Sequence, residues 1–201
     1  ALGTDNYKKV ILWVPTFRKR KNTNRVDTDR DLPYGIPAVY SEQEFEQMLC
    51  ALEENEILLL FKPHLLQDLN CLKVRESNHF RIVIPQELEE WQVSVYDVMK
   101  FADAMITDYS TIAFDFMLLD RPIGYTIDDI AFYKLGFSVP DVQELMPGKK
   151  IRDIKGLTDF FLNVAQDSDE YVQERRSVSK LVHDYPDGNN CERFCRRMNL
   201  L

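Results

Sequence analysis

The stretch "DAMITDYSTIAFDFMLLDRPIGY", residues 103–125, sets two apolar runs on either side of a polar cluster, Thr107-Asp108-Tyr109-Ser110-Thr111. Ala104 to Thr107 is short and apolar and reads as a buried strand. Thr111 to Leu119 has helical spacing, and Pro122 to Tyr125 reads as a second strand. Two hydroxyls and a carboxylate where an apolar strand meets a helix have two physical uses. Asp108 and Ser110 can simply cap the helix, or Ser110 and Thr111, in its first turn, can offer hydroxyls and free N–H groups to a phosphate. The local pattern leaves both open. No Gly-rich turn flanks the cluster, so it is neither a Walker loop nor a dinucleotide fingerprint.

Working outward, Lys9 to Val14 reads as a strand closed by Pro15, and Thr16 to Tyr40 has too little hydrophobic periodicity for a packed element, which predicts a long functional loop. Ser41 followed by Glu44 makes a capping box, and Phe45, Met48, Leu49 and Leu52 share one face, so a helix is predicted from Ser41 to Glu54. Ile57 to Phe61 is the next strand, stopped by Pro63. Arg81 to Ile84 is a third strand after a short helical stretch, and Val95 to Phe101 is helical. Strands alternating with helices at this spacing predict an α/β fold, a Rossmann-like doubly wound parallel sheet covered on both faces. Residues 1–155 form that domain. Residues 156–201 read as a mostly helical tail on the same structural unit, broken at Asp184-Tyr185-Pro186-Asp187-Gly188.

A chain of 201 residues with 45% hydrophobic and 29% charged residues fits one globular domain. Its net charge of -8 argues against nucleic acid as the main partner, although Phe17-Arg18-Lys19-Arg20-Lys21 makes a local basic patch. Cys50, Cys71, Cys191 and Cys195 show no metal-ligand spacing and read as free thiols of a reducing compartment. No run approaches the roughly 18 apolar residues of a spanning helix, and no signal peptide is evident. The chain begins at Ala1 rather than Met, which suggests a piece of something longer.

Ligands of open parallel sheets bind beyond the carboxyl ends of the strands. Arg18, Lys62 and His64 all follow strands and so belong to that rim. Arg18 can neutralise a diphosphate by a bidentate fork and Lys62 as a point charge, whereas Lys19, Arg20 and Lys21 read as a solvated loop or an acceptor contact. His64 is a candidate general acid or phosphate ligand. Asp115, one helical turn beyond Thr111, can accept bonds from ribose hydroxyls and can equally pair with an arginine. Asp128-Asp129 invites a divalent-cation reading, but Asp128 also reads as the N-cap of a helix containing Phe132 and Tyr133, which is preferred. The loop from Phe137 to Lys150 is placed to close over a ligand, and His79 and His183 read as surface.

"ILWVPTFR", "FKPH", "ADAMITDYSTIAFDFMLLDRPIGY" and "DYPDGNNCERF", in this order and spacing, resemble the carboxyl-terminal half of the CDP-glycerol glycerophosphotransferase family of teichoic-acid and capsule polymerases. The resemblance covers nearly the whole chain, and "TDYST" with "FDF" and "RPI" is its most specific part. It implies the donor domain of a two-domain GT-B-type transferase, with the acceptor domain absent from this chain. It further implies pyrophosphate binding at Ser110 and Thr111, supported by Arg18, Lys62, Asp108 and Asp115, and a functional histidine at His64. The chemistry implied is transfer of glycerol phosphate from CDP-glycerol to a polyol-phosphate or lipid-linked acceptor. No metal and no cofactor are implied, and the chain alone is expected to be inactive. The implied location is cytoplasmic, peripheral at the inner face of the membrane, with membrane contact through other parts of the whole protein. Two other readings remain: a GT-B nucleotide-sugar glycosyltransferase or epimerase, and a catalytically silent binding domain.

Overall fold

Alternate residues of an extended strand face opposite sides, and the apolar runs of this chain use both sides. In the computed structural model, which describes residues 6–18, 27–28 and 30–200, Ile11 and Trp13 of β1 (Lys9–Trp13) join Ile57, Leu59 and Phe61 of β2 (Ile57–Phe61) in one buried cluster. Their neighbours Val10, Leu12, Leu58 and Leu60 join a second cluster on the opposite face. Both strands are therefore central. With β3 (Phe80–Ile82), β4 (Ala104–Thr107), β5 (Ile123–Thr126) and β6 (Lys149–Ile151) they form one sheet in the order β3-β2-β1-β4-β5-β6. Every pairing is parallel.

Helix α1 (Glu42–Glu54) starts at Ser41, whose side chain accepts from the Glu44 N–H, and buries Phe45, Met48 and Leu52. Beside it lies α5 (Ile154–Ala165), capped by Asp153 accepting from the Gly156 N–H at 2.7 Å, with Leu157, Phe160 and Phe161 in the same cluster. The other face is covered by α2 (Pro85–Glu90), α3 (Val95–Phe101) and α4 (Ile112–Met117), with α6 (Val172–Val182) packed on α4. Arg175 anchors α6 from a buried position, its guanidinium 2.8 Å from Asp169 and 3.1 Å from Asp120. The last helix, α7 (Asn190–Arg197), buries no residue.

The parallel sheet and the elements around residues 103–125 match the sequence reading. Three elements do not. β6 begins inside the predicted loop 137–150 and was not foreseen, because its Lys149-Lys150-Ile151 offers a single apolar residue to recognise. It pairs closely with β5: a Cβ at Gly148 would sit 2.1 Å from the Ile123 carbonyl oxygen. Helix α2 is signalled by Pro85 at its first turn and by Glu87 accepting from the Ile84 N–H at 3.1 Å, a capping pattern lacking the usual Ser or Thr. The third strand is also displaced toward Phe80. Within the predicted loop 16–40, Ile36, Ala38 and Val39 are fully buried, so its second half is an anchored part of the core.

Candidate functional site

Strand order reverses between β1 and β4, and a crevice outside the carboxyl ends of the strands is expected there. Thr16 and Arg18 follow β1, Lys62 and His64 follow β2, Asp108 to Thr111 follow β4, and Asp128-Asp129 follow β5. Adjacency of β1, β4 and β5 brings the first, third and fourth of these together.

Arg18 is their centre. Its guanidinium donates Nε to Asp129 Oδ2 at 2.7 Å, Nη2 to Asp129 Oδ1 at 3.2 Å, and Nη1 to Asp108 Oδ2 at 2.7 Å. All three side chains are buried. Burial disfavours the charge on Arg18, but Asp108 and Asp129 more than offset it and raise its pKa above the ordinary value. Asp108 also accepts from the Thr16 N–H at 2.9 Å and the Thr16 hydroxyl at 2.9 Å. Tyr109 donates its hydroxyl to Asp129 at 2.6 Å, and Gln67 accepts from the Arg18 N–H at 3.0 Å. Burial, reinforced by Asp129, raises the Tyr109 pKa well above its ordinary value, so this phenol remains a donor. The Tyr109 ring packs on Tyr133 at 4.7 Å and on Phe137 at 5.2 Å, beneath the segment that follows β5.

These contacts revise two expectations. Asp108 does not cap α4: Thr111 holds the N-cap position, with no side-chain capping bond. Asp128 caps no helix either, since the short 3-10 turn Ile130–Phe132 begins at Asp129 without a side-chain cap. Asp128 instead accepts from the Ala38 N–H at 3.0 Å and from the Tyr40 hydroxyl, while Arg30 donates to its carbonyl at 3.0 Å and lies over the Tyr40 ring. The adjacent carboxylates thus face different partners, Asp129 toward Arg18 and Asp128 toward the second half of the loop after β1.

Asp128 Oδ1 is buried with no hydrogen-bond partner among the described residues. Burial raises the Asp128 pKa, with Tyr40 and Ala38 opposing. The folded state then holds this proton more tightly than the unfolded chain, whose carboxyl titrates near pH ~3.9, so stability is lost as pH rises through and above that value. Asp128→Asn does not titrate, and its melting temperature relative to wild type should climb as pH rises above about 4. A flat difference would assign the titration elsewhere.

Ser110 and Thr111 lie at the mouth of the rim. Neither hydroxyl has a partner among the described residues, whereas the Ala113 and Phe114 N–H groups of the first turn already donate to the Ser110 and Thr111 carbonyls at 3.2 and 3.0 Å. Asp115, one turn further, accepts from the Tyr96 hydroxyl at 3.2 Å, so it is paired with a tyrosine of α3 rather than an arginine. Lys62 is half-buried with no carboxylate partner among the described residues, and burial lowers its pKa. His64, also half-buried, accepts the Leu66 N–H on Nδ1 at 3.1 Å and packs its ring 5.2 Å from Phe17. Burial lowers the His64 pKa, Lys62 adds to this and Asp108 opposes it. Lys19, Arg20 and Lys21 lie outside the described residues. His79 and His183 are not free surface groups: each engages a backbone carbonyl, Ile57 at 2.9 Å and Phe114 at 2.8 Å.

Thr16, Tyr109 and Asp129 were not singled out in the sequence as members of the site. The signal was present in Arg18 itself, because a buried arginine needs carboxylates, and the two rim carboxylates follow β4, which neighbours β1, and β5, the strand next to β4.

The family model described as CDP-glycerol:poly(glycerophosphate) glycerophosphotransferase matches residues 1–200. A teichoic acid glycerol-phosphate transferase of Staphylococcus aureus is 24% identical over 94% of this chain and 44% of its own length. A teichoic acid poly(glycerol phosphate) polymerase of Bacillus spizizenii is 26% identical over 89% of this chain and 41% of its own. The chain therefore spans less than half the length of these relatives. Among solved structures, the wall teichoic acid polymerase TagF, H444N variant, superposes with a TM-score of 0.64 at 20% identity, covering 96% of this chain and 43% of that one. A UDP-GlcNAc 2-epimerase from Neisseria meningitidis gives 0.51 at 15% identity, covering 100% and 46%. These two likenesses are of fold.

Proposed function

Because the chain belongs to the CDP-glycerol:poly(glycerophosphate) glycerophosphotransferase family, we propose that it is the nucleotide-binding domain of a transferase that moves glycerol phosphate from CDP-glycerol to a polyol-phosphate or lipid-linked acceptor. In this reaction an acceptor hydroxyl attacks the β-phosphorus, the bond from that phosphorus to the bridging oxygen breaks, and CMP departs with the bridging oxygen. The attacking hydroxyl's proton passes to a base supplied by the rest of the whole protein.

One observation carries the reading. At the switch point, Arg18, Asp108 and Asp129 satisfy one another, whereas the hydroxyls of Ser110 and Thr111 and the ammonium of Lys62 face no such partner. The first set makes a floor, and the second, in which Lys62 donates only to the Pro63 carbonyl at 3.4 Å, suits a diphosphate. Ser110 and Thr111 donate to the phosphates, Lys62 offsets their charge, His64 stands beside them and Asp115 reaches toward the ribose. Arg18 and Asp108, expected at the substrate, are assigned to holding the turn. The reading needs no metal and no cofactor.

No helix among the described residues is long and apolar enough to cross a membrane. A place at the inner face of the membrane rests on the lipid-linked acceptor, with contact made elsewhere in the whole protein.

Ser110→Ala and Thr111→Ala should each weaken CDP binding by about 1–2 kcal/mol, the scale of a lost hydrogen bond to a charged group, with the melting temperature unchanged. Calorimetric titration of each variant checks this. Unchanged affinity with a lowered melting temperature would mean that both residues serve the fold alone.

A further inference from the structure

The Leu66 peptide N–H, 3.1 Å from His64 Nδ1, can only donate, so Nδ1 must present its lone pair. A neutral imidazole in that state carries its proton on Nε2. The turn that imposes this is itself closed, by the Gln67 N–H donating to the His64 carbonyl at 2.9 Å, and the Phe17 ring rests against the imidazole. Protonating Nδ1 would set one donor against another and break the Leu66 bond. Two charged groups face the ring: Lys62, which works against an imidazolium, and Asp108, which favours one but is itself held by Arg18 and Thr16.

We propose that His64 works as a neutral imidazole donating Nε2–H to an oxygen of the bound diphosphate, oriented by its own turn, and not as an acid that delivers a proton. This rests on the nucleotide-binding role proposed above. The chemistry agrees with it, since the second ionisation of a phosphate monoester lies near pH ~6 and CMP can leave at neutral pH without being protonated. A leaving phosphate needs a fixed donor where negative charge grows, and a neutral N–H meets that need.

Long-range 1H–15N correlation spectra of the histidine-labelled protein test the proposal, with the His64 signals identified by their loss in His64→Gln. The expected result is an Nε2–H tautomer at pH 7 whose Nε2 resonance moves when CDP or inorganic pyrophosphate is added. An Nδ1–H tautomer or an imidazolium at pH 7 overturns the proposal. Calorimetry on the same samples separates the remaining outcomes. Heat from CDP without a shift at His64 overturns this inference alone, and neither heat nor shift also removes the nucleotide-binding reading beneath it. His64→Ala should raise the pyrophosphate Kd about 10-fold, and His64→Gln, whose amide restores a donor, by less. Equal losses in the two variants count against a donor role.

Discussion

Arg18→Ala is expected to cost about 3–5 kcal/mol of folding stability and to lower the melting temperature by roughly 10 °C. The cost arises less from the attraction lost than from what is left behind. Asp108 and Asp129 are buried, Arg18 is the cation between them, and without it both carboxylates keep their desolvation cost uncompensated. Thr16 would still hold Asp108 and Tyr109 would still hold Asp129, but neutral donors offset a buried charge only in part. Adding Asp129→Asn to Arg18→Ala should therefore recover some of the loss, the non-additivity expected of groups in one network. Denaturant unfolding of the two single variants and the double variant measures this. If Arg18 were instead a phosphate ligand, Arg18→Ala would keep wild-type stability and lose CDP affinity.

In the complete transferase, His64→Ala should lower kcat by about 10²–10³, the usual effect of deleting one preorganised donor to developing negative charge, while KM for CDP-glycerol changes far less. The pH profile distinguishes how His64 acts. Its pKa is lowered from the ordinary value of 6.5, so the ring is neutral above that pH. A neutral donor keeps kcat level as pH rises above that point and fails only as the ring becomes protonated on the acid side. A general acid would show the reverse, losing activity as pH rises through its pKa. A wild-type kcat for His64→Ala would remove the residue from the reaction.

The fold was legible because its central strands are buried on both faces and so read as unbroken apolar runs, Ile57 to Phe61 above all. β6 was not, since a short edge strand with two lysines has no such signature. The site divided along a similar line. Positions fixed by chain connectivity, such as His64 after β2 and Ser110 and Thr111 after β4, could be placed at the rim from the sequence. The partners of Arg18 and Asp108 depend on the lateral order of strands, which puts residues about ninety positions apart in hydrogen-bond contact. Local pattern offered Asp108 only a helix cap or a place at the phosphates, when its nearest donors lie after β1. Asp128-Asp129 misled for the same reason: the pair is adjacent in sequence, yet its two carboxylates serve different parts of the structure.

A crystal structure of the protein with CDP tests the central claim most directly. The account predicts the diphosphate at the carboxyl rim between β1 and β4, with oxygens against Ser110, Thr111, Lys62 and His64 Nε2, the ribose toward Asp115, and Arg18 still bridging Asp108 and Asp129. CDP bound away from this rim, or an Arg18 that has left both carboxylates to take the phosphates, would contradict it.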